Sequence, residues 1–470
     1  MAQFTSFLSL ILSFMIGFFT YPISFIPTEN DTEFHVSQSD FAIESIFVDG
    51  QAAEESAELE FSDSLKIEIS NYSCGWYNYY AVSYSSDAHL KGVITYRTGV
   101  TEKSEEFFLE KADSTEFFSF IDNCLKGTKA NALLSIEFYP LDKDTAKMSF
   151  YGVSVFNREI PEREVFISNE YLKLGVDLQW GGALSYLEDL DSGVQAVKHE
   201  GRIKVDSNAA ERYSSQSVNN NVNLINRYDP GRLVQQSYYG TSGYGYVCGE
   251  FMGNQWGYNP VQGGNQFNDS SKIVDLRIEE NKLYVKCRPL DWAKEKEHIT
   301  PSYMEANYTL DGKLAHTTCR FIDFSGYQGV VASQEIPAFY CIEPFNRYVY
   351  YGGEKPWTGD ALTVEPELIF WPDAGYPNFT ATENWSAFIG EFDDSFGIGL
   401  YTPNETVFLS GVFNREKTQN TDPSKDATTS YIALVKQMMF QSFSPIEYDY
   451  YLTTGDTAEI RENFSVLTCC

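Results

Sequence analysis

The sequence predicts an all-β protein: an N-terminal β-sandwich, a larger antiparallel β-body after it, and one short helix at the C-terminal end. Three observations predict this. Aromatic residues make up 16% of 470 residues, with 32 Tyr and 35 Phe, and aromatic side chains suit half-buried pleated surfaces. Short aromatic and β-branched runs recur along the chain, separated by turn residues at sandwich-like intervals. Helical periodicity is hardly visible over about 38–158.

The chain opens with no charged side chain before Glu29, and residues 7–19 read FLSLILSFMIGFF. That run has the length of a signal-peptide core, although a basic n-region and a clean small-x-small cleavage site are missing. The expectation is a signal peptide over 1–26 and a secreted or extracellular protein, free of the membrane once the signal is removed. Apolar character extends to about Ile26, which leaves an uncleaved cell-surface anchor as the alternative. Eight Asn-x-Ser/Thr sequons fit a secreted glycoprotein in a source that glycosylates. The eight cysteines are widely spaced and contain no CxxC, so a zinc ribbon is excluded. Cys74 and Cys124 lie in one domain and form the natural disulfide candidate, while pairing among Cys248, Cys287, Cys319 and Cys341 stays open.

The formal net charge of −32 repels phosphate backbones and anionic membrane surfaces, so nucleic acid is excluded as a partner. It also disfavours strongly anionic polysaccharides.

Residues 38–158 form the first predicted domain, with strands at 65–69, 79–84, 91–96, 105–109 and 133–139. A small sandwich ahead of a larger domain is arranged like a carbohydrate-binding module, and a purely structural sandwich is the alternative. NREIPERE at 157–164, with Pro161, reads as a linker. The second domain, 160–468, opens with two strands around Gly181-Gly182. Strands at 272–278 and 283–287 flank Glu280-Asn281, and strands at 304–310 and 313–322 flank Asp311-Gly312. An Asp-Gly pair between strands predicts a hairpin whose two turn residues both have positive φ. Further strands are predicted at 330–335, 387–392, 397–401, 430–437 and 446–453. Asp456 followed by Glu459 is a capping box, which predicts a helix over 457–464.

A large β-domain that opens with GGALSYLED at 181–189 and follows a small sandwich resembles the supersandwich of galactose-mutarotase-like proteins, over roughly 160–468. The resemblance implies a large antiparallel β-supersandwich and chemistry on carbohydrate, with a Glu late in the domain as base and His groups assisting. Glu335 takes that place.

Independently of the resemblance, 207–269 is poor in aliphatic residues and dense in Asn, Gly, Tyr and Gln. Long loops of this composition are seldom filler. Asn226, Arg227, Asp229, Arg232, Gln235 and Gln236 crowd together, with Tyr238 and Tyr239 just after. Asp and Arg can hydrogen-bond vicinal hydroxyls or a sugar carboxylate, and Tyr can stack on a pyranose face. Pro230-Gly231 turns the chain so that Asp229 and Arg232 meet; an internal salt bridge that only braces the loop is the competing interpretation. Trp256, Tyr258, Asn259 and Gln262 add aromatic faces and amides beside glycines, and Trp292 adds to the rim. His316, on a predicted strand, is a further candidate contact, or a satisfied structural His.

Glycoside hydrolysis needs two carboxylates, for which Asp229, Glu250, Glu305 and Glu335 are candidates. Glu335 ends an apolar strand before Pro337, where burial would raise its pKa and suit it to acid catalysis. No HExxH, EF-hand, P-loop or GxSxG pattern occurs, so neither metal nor cofactor is expected. The functional expectation is a secreted carbohydrate-active enzyme, glycoside-hydrolase-like, with Asp229, Glu335 and Arg232 catalytic. Its alternatives are a polysaccharide lyase, with Tyr239 or His316 as base and Arg227 or Arg232 on a uronate, and a non-enzymatic sugar-binding protein.

Overall fold

A computed structural model describes residues 33–35, 43–72, 76–190, 223–240, 249–295, 299–342, 345–365, 368, 377–390, 396–413 and 429–468. The expected signal segment, Cys74 and Cys248 lie outside them, as do parts of the 207–269 loop. Among the described residues no helix is long and apolar enough to cross a membrane. The fold is all-β. Its sheets are antiparallel, and the one α-helix among the described residues is Thr457–Ser465.

The chain divides into two units, one comprising residues 1–162 with Asp323–Gly326, the other residues 163–322 and 327–470. The first unit holds a five-stranded and a six-stranded sheet. Strand Leu90–Thr98 alternates buried and half-buried positions along its length, the period-two pattern of a strand with one face on a core. Aromatic rings fill the space between the sheets. Phe107 of one sheet stacks on Phe117 of the other at 5.2 Å, and Tyr80 meets Phe107 edge-on at 5.9 Å. Gly92 leaves room for this packing, since a Cβ there would lie 2.1 Å from the Phe107 ring. From the segment Asp323–Gly326, Phe324 stacks on Phe108 at 5.3 Å.

The second unit is built on two large sheets. One runs in the order Glu164–Ser168, Leu172–Asp177, Ala183–Asp189, Val234–Gln235, Val330–Ile342, Thr429–Phe440, Val407–Phe413, Asn378–Thr380. The other runs Lys272–Ile278, Lys282–Arg288, Ser302–Asp311, Leu314–Asp323, Ile446–Gly455, Gly397–Tyr401, Trp385–Gly390, Phe345–Tyr350, Thr363–Glu365. Their inner faces meet through Phe321 and Phe440, 5.6 Å apart, and Tyr238, whose ring stacks on Phe321 at 4.2 Å.

Local chemistry explains the hairpins and the helix. Ser302–Asp311 and Leu314–Asp323 are adjacent in sequence and joined by a tight turn, as the Asp-Gly pair predicts. Only Gly312 has positive φ, however, at 54°; Asp311 remains in the strand. The turn is therefore centred one residue later than expected, with glycine at its first central position. The helix starts where its capping box predicts. Asp456 accepts from the N–H groups of Ala458 and Glu459, and Glu459 accepts from the Asp456 N–H. Ile460 and Phe464 then pack with Trp385 and Tyr401. Arg461 reaches the fully buried Glu383 through two nitrogens, and Trp385 Nε1 donates to the same carboxylate at 3.0 Å.

Candidate functional site

The strand Val330–Ile342 carries the centre of the site. Its register with Thr429–Phe440 breaks between Glu335 and Ala338, around the cis Ile336–Pro337 bond. Glu335 is half-buried there. Its Oε2 accepts hydrogen bonds from the Tyr431 hydroxyl and, at 3.3 Å, from the Tyr239 hydroxyl. Burial raises the Glu335 carboxyl above its ordinary value, and the two hydroxyls pull it partly back. Tyr340 stands 4.4 Å from Tyr431, ring to ring.

The segment 228–232 leads into Leu233, whose carbonyl accepts from the Tyr340 N–H of the strand Val330–Ile342 at 3.1 Å. Asp229 and Arg232 form an ion pair, and Asp229 Oδ1 also accepts from the Gly231 N–H at 2.9 Å. Burial and the Glu335 charge push the Tyr340 phenol up, Arg232 acts against them and Asp229 with them. The turn that carries the Asp229–Arg232 pair thus adjoins Tyr340, five residues along the strand from Glu335.

Aromatic side chains close the circuit. A Cβ on Gly231 would lie 2.5 Å from the Trp292 ring, so glycine lets Trp292 lie against the turn. Trp292 meets Phe251 at 5.6 Å, Phe251 meets Trp256 at 5.1 Å, and Trp256 meets Tyr239 at 6.4 Å, all edge-on. Trp256 Nε1 donates to Asn259 Oδ1 at 3.0 Å. Asp229, Arg232, Tyr239, Trp256, Trp292 and Glu335 are all half-buried. Half-buried aromatic faces beside a carboxyl and an Asp–Arg pair can stack on a sugar ring, hydrogen-bond its hydroxyls and move a proton.

Other residues singled out in the sequence brace this region from inside. Arg227 is 1% exposed and pairs with Glu164 and Asp177, so its guanidinium faces protein carboxylates. Asn226 is buried and caps its own turn, its Oδ1 accepting from Tyr228 N at 3.0 Å. Gln235 joins Pro230 O to Gly263 N, at 2.9 and 2.7 Å. Gln236 donates to Glu305 O at 2.8 Å, and Gln262 to Gly181 O at 3.2 Å. Tyr238 and Tyr258 are core side chains, the latter stacked on Phe440 at 5.7 Å. Asn259 is buried and holds Tyr238 O at 2.7 Å as well as Trp256. His316 lies on the other sheet, 2.7 Å from Asp449 and stacked on Tyr451 at 4.2 Å, and no contact joins it to Glu335.

Of the remaining carboxylates, Glu250 is exposed, and Glu305 is held by Tyr284, Arg320 and Lys286. Among the described residues no group of three or more His, Cys, Asp or Glu is arranged to hold a metal ion. Sequence reading passed over Tyr340, Tyr431, Phe251 and Asp291. The two tyrosines sit in apolar strands that look like core. Asp291 follows a proline and a leucine and looks like a surface turn residue, yet it is 2% exposed.

No family profile matches the chain, and no curated protein matches it. Similar solved structures include an aldose 1-epimerase, described as putative, from Escherichia coli K12, 9% identical over 62% of this chain and 99% of that chain, TM-score 0.34. A galactose mutarotase related enzyme from Lactobacillus acidophilus is 10% identical over 63% and 98%, TM-score 0.34. A GH36 alpha-galactosidase from Geobacillus stearothermophilus is 9% identical over 63% and 41%, TM-score 0.33. The likeness is one of fold. At these scores it carries no argument about this chain's chemistry.

Proposed function

We propose that this chain is a secreted carbohydrate-active enzyme in which Glu335 is the general acid and base for a reaction at a glycosidic bond. The observation that carries the proposal is the Glu335 carboxyl, raised by burial and cradled by the Tyr239 and Tyr431 hydroxyls, with Trp256 edge-on against Tyr239. In this reading the protonated carboxyl donates to the glycosidic oxygen as the bond to the anomeric carbon breaks. The resulting carboxylate then takes the proton of the water that adds to that carbon. Asp229 is the second carboxylate, held in place by Arg232 and the Gly231 N–H. Tyr239 and the two tryptophans offer faces for the sugar ring.

The ion pairs of Arg232 with Asp229 and of Arg227 with Glu164 and Asp177 set both arginines against protein carboxylates. This favours hydrolysis over a lyase reaction that needs an arginine to neutralise a uronate. The test is incubation with a polysaccharide panel, reading new reducing ends and the absorbance of unsaturated uronates. Reducing ends without that absorbance, lost in Glu335→Gln with folding intact, support the proposal. Full turnover in Glu335→Gln rejects it, absorbance indicates a lyase, and binding without turnover indicates a sugar-binding protein.

A further inference from the structure

Asp291 lies in the strand Leu290–Asp291, paired with Pro260–Val261 behind the aromatic rim. It is 2% exposed. Its Oδ1 accepts from the Ala293 N–H at 3.2 Å, closing a tight turn over residues 291–294, and its Oδ2 has no hydrogen-bond partner among the described residues. An ionised carboxylate left so poorly satisfied in the interior is costly; the neutral acid is far less so.

That turn supports both rim tryptophans. Trp292 follows Asp291 directly, and its backbone N–H donates to Asn259 O at 2.8 Å. The Asn259 side chain in turn takes the hydrogen bond of Trp256 Nε1. Ala293 underlies the short hairpin Gly249–Phe251 and Asn254–Trp256, since a Cβ on Gly249 would lie 2.3 Å from Ala293 O. The turn therefore fixes Trp292 against Gly231 and the hairpin that carries Trp256.

We propose that Asp291 is a proton-linked positioning residue: uncharged, it holds Trp292 and Trp256 in place for the ligand, and on ionising it loosens them. The charges around it are few. Lys294, from its own turn, favours the ionised form, as do the Ala293 N–H bonded to Oδ1 and, least of the three, the nearby Asn259 N–H, which makes no hydrogen bond to Oδ2. The paired strand brings Pro260 and Val261, the hairpin brings Gly249, and the 262–270 loop brings Asn265, which holds Lys294 O with Asp269 behind it. Burial outweighs these and pushes the carboxyl up to about 7. A carboxyl raised by folding favours the ordered state in acid, and that preference is lost as pH rises through its folded value.

The inference rests on the rim being the sugar site, but its first test needs no sugar. Acrylamide quenching of tryptophan emission is followed from about pH 5 to 9 in the wild type, Asp291→Asn and Trp292→Phe. The wild type is expected to show a rise of about twofold in the quenching of the rim component with a midpoint near neutrality. Asp291→Asn should hold the low-pH value throughout, and Trp292→Phe should lose most of the rise. A flat wild-type profile, or an unchanged rise in either variant, overturns the proposal; if Asp291→Asn does not fold, wild type against Trp292→Phe decides it. With a sugar in hand, affinity should weaken about tenfold across the same range in the wild type only. Failure of every glycan to bind, with the quenching transition present, overturns the functional reading and leaves the proton linkage standing.

Discussion

Glu335 shows how a carboxyl can be tuned by groups with opposing effects. Burial favours its neutral form, and the hydroxyls of Tyr431 and Tyr239 favour its charged form. Removing a donor should therefore raise it further. If Glu335 acts as proposed, the limb of the rate profile that reports it is expected to move to higher pH in Tyr431→Phe, and by less in Tyr239→Phe. A pH series of kcat/KM checks both. Glu335 could be picked out of the sequence because it ends an apolar run just before Pro337, where a charged residue is out of place. Of its two hydroxyl partners, Tyr239 could be picked out as well and Tyr431 could not. Tyr431 lies in a stretch that reads as core, and only strand pairing brings its hydroxyl to a carboxyl 96 residues away in sequence.

Elements whose causes are local were legible. The helix Thr457–Ser465 follows from Asp456 and Glu459 alone, and the hairpin at Gly312 from two residues. Asp456→Ala removes an acceptor for two orphan N–H groups and should cost about 1 kcal/mol of stability in thermal unfolding. Arg227 marks where local reading stops. A basic residue among Asn, Asp and Tyr looks like a ligand contact, but the chain folds it back onto Asp177, 50 residues earlier in sequence, and onto Glu164. Gln235, Gln236 and Gln262 behave alike: their composition suggested a polar cleft, and the polarity satisfies buried backbone groups of a loop wall.

Over the whole molecule, sheet order is set by contacts that no sequence window contains. Val234–Gln235 inserts between Ala183–Asp189 and Val330–Ile342, so a two-residue strand joins parts of the chain about 150 residues apart. The larger unit also depends on charge pairing inside an acidic protein. Burial would raise Glu305, but Lys286 and Arg320 outweigh it and take the carboxyl from an ordinary 4.5 down to about 2. A carboxyl depressed in this way stabilises the fold above its ordinary value, and the contribution fades as pH falls through its folded value. Glu305→Gln should thus cost on the order of 2–3 kcal/mol in urea unfolding at neutral pH. The gap to wild type should narrow between 4.5 and 2. A gap independent of pH would show that the network does not act through ionisation.

Cys287, Cys319 and Cys341 are unpaired and almost wholly enclosed in the strands of the larger unit, and burial pushes each thiol well above its ordinary value. Once folded, they are poor targets for oxidants, which react with thiolates. While the chain is still open they have no such shelter. If it matures in an oxidising lumen, folding becomes a race in which strand assembly must outrun glutathionylation and mispairing, and the sheets serve as the safeguard of their own sulfur chemistry.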